Sequence, residues 1–239
     1  MPDSYERRAR LYPGLLAMAP IAFVIATLGL KQYPAVAIVV SVLSAAGGGY
    51  ALSVLVGHRG RRAEKDLWSE WGGPPTTRFL RTRERAQNSV QRDAWRAAIQ
   101  KVTGVALLSS GAEASDPAIA DQTIEVAVGQ MRLLTTDKRY PLVKVHNVQY
   151  GFQRNVFGLR RVGRGISIAC VAVMAAVLVL RNTQSWDGFS SGAVIAGLVI
   201  NFLFLVGWWM IPSAGRTKEA ADLYARQLMQ AVVDLSRQP

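Results

Sequence analysis

Five arginines set the first chemical question. On a helix over Thr76–Thr103, at 100° per residue, Arg78, Arg81, Arg85, Arg92 and Arg96 fall within about 60° of one another. Guanidinium groups crowded on one face repel unless an anion meets them. Their planar forks pair with phosphate oxygens two at a time. The stripe therefore reads either as a site for a nucleotide, an oligonucleotide or a phosphorylated lipid, or as a solvated face partly neutralised by Glu84 and Asp93. A break near Asn88 would divide it.

A second polar group lies in VHNVQYGFQRNVFGLRR. Asn147, Tyr150 and Arg154 follow one another at i, i+3 and i+7 on one helical face, beside His146 and Asn155. Aromatic, arginine and amide together can stack on and hydrogen-bond a base or sugar, and the same set joins helices at a bilayer interface. The search for catalytic groups is otherwise negative. There is no His-Glu-x-x-His, no Gly-x-Ser-x-Gly and no Gly-rich phosphate loop ending in Gly-Lys-Ser/Thr. The expectation is a non-enzyme with no cofactor and no metal.

The elements that must position these groups are dominated by apolar runs. Half of the 239 residues are hydrophobic, and they are concentrated in blocks. Pro34–Val56 contains 23 residues without a charge and is followed by His58-Arg59-Gly60-Arg61-Arg62. As one helix it would cross the roughly 30 Å hydrocarbon layer. Ala37, Ser41, Ala45, Gly49, Ser53 and Gly57 recur in it every fourth residue, a small-side-chain stripe along which helices in lipid approach closely. Gly47, Gly48 and Gly49 in a row offer a flexible point instead.

The expected architecture is all-α, an integral membrane protein with four transmembrane helices in two hairpins. Residues 1–10 precede spans at 11–30 and 34–56. A basic helical domain occupies 57–164, two more spans follow at 165–180 and 192–211, and an amphipathic helix closes the chain over 212–239. Pro20 should kink the first span. Ala221, Tyr224, Leu228, Ala231 and Leu235 form a short heptad seam in the tail, which either packs on its own subunit or on a neighbour.

Charge supports that layout. Gly57–Arg164 holds 19 Lys/Arg against 10 Asp/Glu, most of the net charge of +12. Arg7, Arg8 and Arg10, then Arg59, Arg61 and Arg62, then Arg160, Arg161 and Arg164, then Arg216 and Lys218 all flank one side of the four spans. The positive-inside rule then puts both termini and the central domain in the cytoplasm, with the spans in a bacterial inner membrane. No charged residue lies inside the spans. Asn201 is the strongest polar group there, placed either to bond a neighbouring helix or to line a constriction about a symmetry axis.

In its span layout, its lack of a catalytic set and its basic cytosolic part, the chain resembles the small bacterial four-span membrane effectors of nucleotide-signalling anti-phage defence. That resemblance implies an oligomer whose cytosolic part senses a nucleotide messenger and whose spans then change membrane permeability. The competing expectation from the residues alone is a non-conducting scaffold that anchors a cytosolic protein partner.

Overall fold

A computed structural model describes residues 5–30, 33–45, 47–84, 88–136, 139–184 and 190–238, the side chains of 36, 39, 40, 43–45 and 184 excepted. Among the described residues every regular element is helical. A π-helical turn, Glu6–Leu11, leads into α1 (Tyr12–Thr27); then come α2 (Pro34–Ala45), α3 (Gly48–Trp71), α4 (Pro75–Leu80), α5 (Ser89–Thr103), α6 (Ser110–Ser115), α7 (Pro117–Leu134), α8 (Pro141–Gln184), α9 (Ser191–Met210) and α10 (Ala214–Ser236). Pro20 lies inside α1 without ending it.

Three of these helices, not four, are long and apolar enough to cross a membrane: Glu6–Thr27, Pro141–Thr183 and Ser191–Met210. The chain is thus a helical protein suited to membrane association. The expected span at 34–56 is corrected by its glycines. Gly47 takes φ +77°, a conformation that a helix interior does not use, so α2 stops at Ala45 and α3 starts afresh at Gly48. At 1.5 Å per residue α2 reaches only about 18 Å, and the charges after Gly57 leave α3 a still shorter apolar part. The span expected at 165–180 is the opposite case. Its helix begins far upstream, at Pro141, and runs 44 residues.

Local signals explain the other boundaries. The Asn88 side chain accepts from Gln91 N at 3.2 Å to start α5, and Gly104 at φ +69° ends it. The Asp116 side chain caps Ile119 N at 3.0 Å, with Pro117 in the first turn of α7.

The chain divides into two compact units. The first comprises Met1–Glu64 and Gly151–Ala214, the second Lys65–Tyr150 and Gly215–Pro239.

In the first unit helices meet at glycines. A side chain on Gly158 would stand 2.8 Å from the carbonyl oxygen of Arg59 and 3.0 Å from the Cα of Gly60, so α3 and α8 touch backbone to backbone. Gly163 faces the Trp208 indole, and Gly197 faces Met174 and Thr27, which seats α9 against α8 and α1. Phe23 and Phe204 add a tilted ring pair at 5.6 Å. Buried Asn155 donates to the Ala9 carbonyl at 2.6 Å, taking up a backbone acceptor within the π-helical turn.

The second unit has a conventional apolar core. Phe79, Leu80, Trp95, Ile99, Ile124 and Met131 pack with Tyr150, Tyr224, Leu228 and Val232. The heptad seam of the tail therefore faces its own chain: Ala221, Tyr224, Leu228 and Ala231 are all buried in this core.

Candidate functional site

The arginine-rich segment folds as a corner rather than as one helix over Thr76–Thr103. Arg81 leaves α4 with an extended backbone, ψ 133°, and α5 begins only at Ser89. The turn exposes several arginines to carboxylates that lie 30 to 40 residues downstream.

Arg81 makes a bidentate pair with Asp121, Nε to Oδ1 at 2.9 Å and Nη2 to Oδ2 at 2.8 Å, and its Nη1 donates to the Gly72 carbonyl at 2.6 Å. Gly73 at φ +123° lies against the same guanidinium, and a Cβ there would stand 2.9 Å from Nη2. Only glycine lets the loop wrap the ion so closely. Arg83 Nη2 donates to the same two oxygens of Asp121, each at 2.8 Å, and its Nη1 reaches Glu113 at 3.1 Å.

Glu113, whose side chain is 1% exposed, is the anchor of the network. It accepts from Thr82 N at 2.9 Å, Thr82 Oγ1 at 2.8 Å and Arg83 N at 3.2 Å. Arg96 lies 3.9 Å from it and donates to the carbonyls of Leu80, at 2.6 Å, and Leu108. This guanidinium closes the open end of α4 onto the loop before α6.

The titration of these groups follows from the contacts. Burial disfavours the charged form of Glu113, but the Thr82 and Arg83 hydrogen bonds and the Arg83 charge outweigh it and hold the carboxyl below its ordinary range. Burial is likewise overcome at Asp121 by Arg81 and Arg83, and its carboxyl is also lowered. Arg81 is raised despite burial, through Asp121 and Glu84. Arg96 is lowered, with burial the largest cause. Asp222 on α10 goes the other way, pushed up by burial against the opposing charges of Arg78, Lys218 and Arg226.

The remaining expected residues are dispersed. Arg92 pairs with its neighbour Asp93 at 3.1 Å and donates to the Thr82 carbonyl at 3.3 Å. Arg78 is 3.9 Å from Glu84. Arg85 lies outside the described residues. Tyr150 is buried and stacks on Tyr224 at 6.3 Å, in the core of the second unit. Asn147 is half-buried in the same unit, whereas Arg154 belongs to the first unit and pairs with Glu64 at 3.0 Å.

Asn201 is fully buried within its own chain and donates to the Gly197 carbonyl one turn back, at 2.8 Å. Of the small residues expected to pack, Ser53 is buried, while Ser41 and Gly49 are exposed; the side chain of Ala45 lies outside the described residues. An open groove of about 320 Å³ in the first unit is lined by Leu16, Val156, Leu203, Phe204 and Trp208. Such a lining offers a ligand no polar group to orient on.

Sequence reasoning passes over Arg83, Glu113 and Asp121. Their pairing crosses a turn and two helices, which helical periodicity does not register. The one signal available was that five arginines need anions and the downstream segment supplies carboxylates. Comparison of the chain with protein-family models, curated proteins and solved structures found no match.

Proposed function

We propose that the chain is a membrane-anchored helical scaffold, held in the bilayer by its apolar helices and working through protein contacts made by its second unit. The observation that carries this reading is the double grip of Arg81 and Arg83 on Asp121. Arg81, Arg83, Arg92 and Arg96 at this corner are already engaged by carboxylates and carbonyls of the chain itself, and an incoming phosphate would have to displace them. Meanwhile large apolar side chains of α7 stand in solvent. Beside its exposed charges, the outward side of α7 thus offers apolar surface to a partner. The arginine-rich flanks of the apolar helices favour the cytoplasmic side of a bacterial inner membrane for the second unit.

The second reading is an oligomeric, channel-like effector in which a nucleotide-type ligand alters permeability. Gly47 favours it: the left-handed joint between α2 and α3 has no neighbour within 4 Å of a would-be Cβ, so the apolar hairpin can bend there. A ligand could drive that bend only by its difference in affinity for the two shapes.

Dye leakage from liposomes carrying the full chain separates the two. The scaffold reading expects baseline leakage with mono-, di- and cyclic nucleotides alike, and with anionic lipid. Leakage that rises with any nucleotide overturns it in favour of the effector.

A further inference from the structure

The outward face of α7 carries three large apolar side chains seven residues apart: Ile119, 48% exposed, Val126, 57%, and Leu133, 78%. Seven residues are two turns less about 20°, so the three align in one stripe roughly 20 Å long. The opposite side of α7, with Ile124, Ala127, Val128 and Met131, is buried in the core of its unit. The stripe is therefore surplus to the fold of the chain.

Gly129 borders the stripe. It lies inside the helix with no positive φ, and a Cβ added there would meet nothing within 4 Å. A glycine in an exposed helix interior is unfavourable relative to alanine, and no contact within the described chain requires one here. What does need a missing side chain is the close approach of another helix.

We infer that a second copy of this chain packs on α7 antiparallel, about a two-fold axis at Val126. Three observations select that occupant. The stripe is symmetric about Val126, so an antiparallel copy sets Ile119 against Leu133, Val126 against itself and Leu133 against Ile119. Gly129 allows the two backbones to close in beside that axis. The exposed charges are complementary: Glu125 and Arg132 lie seven residues apart on one flank of the stripe. Antiparallel pairing brings Arg132 of the second copy to the level of Ala120, about 7.5 Å along the axis from Glu125. Two long side chains span that gap, whereas a parallel two-fold pair would set this flank against the uncharged Ala127 and Leu134 side of the other copy and leave both charges without a partner. The inference rests on the scaffold reading and names its partner.

The test uses the full chain in detergent and in liposomes, with Cys170→Ser removing the one native thiol. Val126→Cys should oxidise to a disulfide dimer. In mixtures of differently tagged Ile119→Cys and Leu133→Cys chains, the mixed 119–133 product should dominate over either self-product. Val90→Cys on α5, 77% exposed, sets the background. Val126→Arg should weaken association at least tenfold. Gly129→Ala should also weaken it while leaving helicity intact, which separates lost contact from lost fold. A Val126→Cys yield no higher than that of Val90→Cys, or dominant 119–119 self-linkage, overturns the inference. So does a thiol at 126 that is shielded by lipid without linking, or one that links to a different polypeptide. Leakage plays no part in these readouts, so cross-linking together with nucleotide-driven leakage sinks the scaffold reading alone.

Discussion

The two units of this chain bring helices together by different means. In the first, small apolar clusters around Trp208 and Met174 are joined by contacts made where side chains are missing: Gly158 against the Arg59 and Gly60 backbone, Gly163 against Trp208, Gly197 against Met174 and Thr27. In the second, contact is made by large apolar side chains such as Trp95, Leu228 and Met229, overlaid by ion pairs between distant segments. The difference reflects the surroundings each unit is suited to. Lipid is as apolar as leucine and exerts no hydrophobic force between helices, so association there depends on close backbone approach. Water rewards the burial of leucine and tryptophan at about 25 cal/mol per Å², and a core can then tolerate larger helix separations. One chain holds both solutions, and the boundary falls inside α3, at Glu64, and inside α8, at Tyr150.

The sharpest way to break this comparison is to remove the anchor of the ion network. Glu113→Ala strips Thr82, Arg83 and Arg96 of a buried anion and should destabilise the second unit by about 3–5 kcal/mol. Chemical denaturation followed by tryptophan fluorescence would show it, since Trp95 reports from that core; a loss below about 1 kcal/mol would mean that the network is ornamental.

A smaller effect is expected in the first unit. Gly158→Ala pushes a methyl group into the Arg59 carbonyl, which belongs to backbone and cannot swing aside. A cost of about 1–3 kcal/mol follows, read as a lower melting temperature in detergent. The same change at Gly111, where a Cβ meets nothing, should be harmless or slightly stabilising.

The finest test sets two carboxylates of the second unit against each other. Asp121 is lowered in the fold, so its contribution is complete above the ordinary carboxylate value near pH 4 and is lost as pH falls through the folded value. Asp121→Asn should therefore cost about 2 kcal/mol at neutral pH and converge on the parent in acid. Asp222 is raised, so ionising it costs stability as pH rises from its unfolded value through its folded one. Asp222→Asn should leave stability unchanged or improve it by up to about 1 kcal/mol at neutral pH, with no difference in acid. Between pH 3 and 7 the Asp121→Asn curve should fall progressively below the parent, while the Asp222→Asn curve should lie on the parent or rise above it.

Much of the helical framework was legible in residue types. Gly104, Asp116 and Pro117 mark the end of α5 and the start of α7 because capping is a local interaction, complete within a few residues, whereas Asn88 reads in the sequence only as a break that would divide the arginine stripe and not as the start of α5. The amphipathic tail was visible in the spacing of Tyr224 and Leu228, although spacing left open which chain it would pack on. The break at Gly47 was harder. Three glycines permit either a tight stripe or a joint, and residue type does not choose between them; the positive φ of Gly47 does. The corner at Arg81 and its partner Asp121 were not legible at all. A pair 40 residues apart leaves no periodic trace, and the arginines of the stripe look the same whether they await a ligand or already hold a carboxylate.

The second unit is assembled from two pieces of chain separated by 64 residues, Gly151–Ala214. Leu228, Met229 and Val232 of α10 are fully enclosed in its interior. A ribosome therefore releases Lys65–Tyr150 with its greasy side open and must lay down both later apolar helices before the closing piece arrives. At about 5–20 residues per second that interval lasts several seconds. Newborn chains stalled just short of α10 should draw holding chaperones that the finished protein no longer attracts.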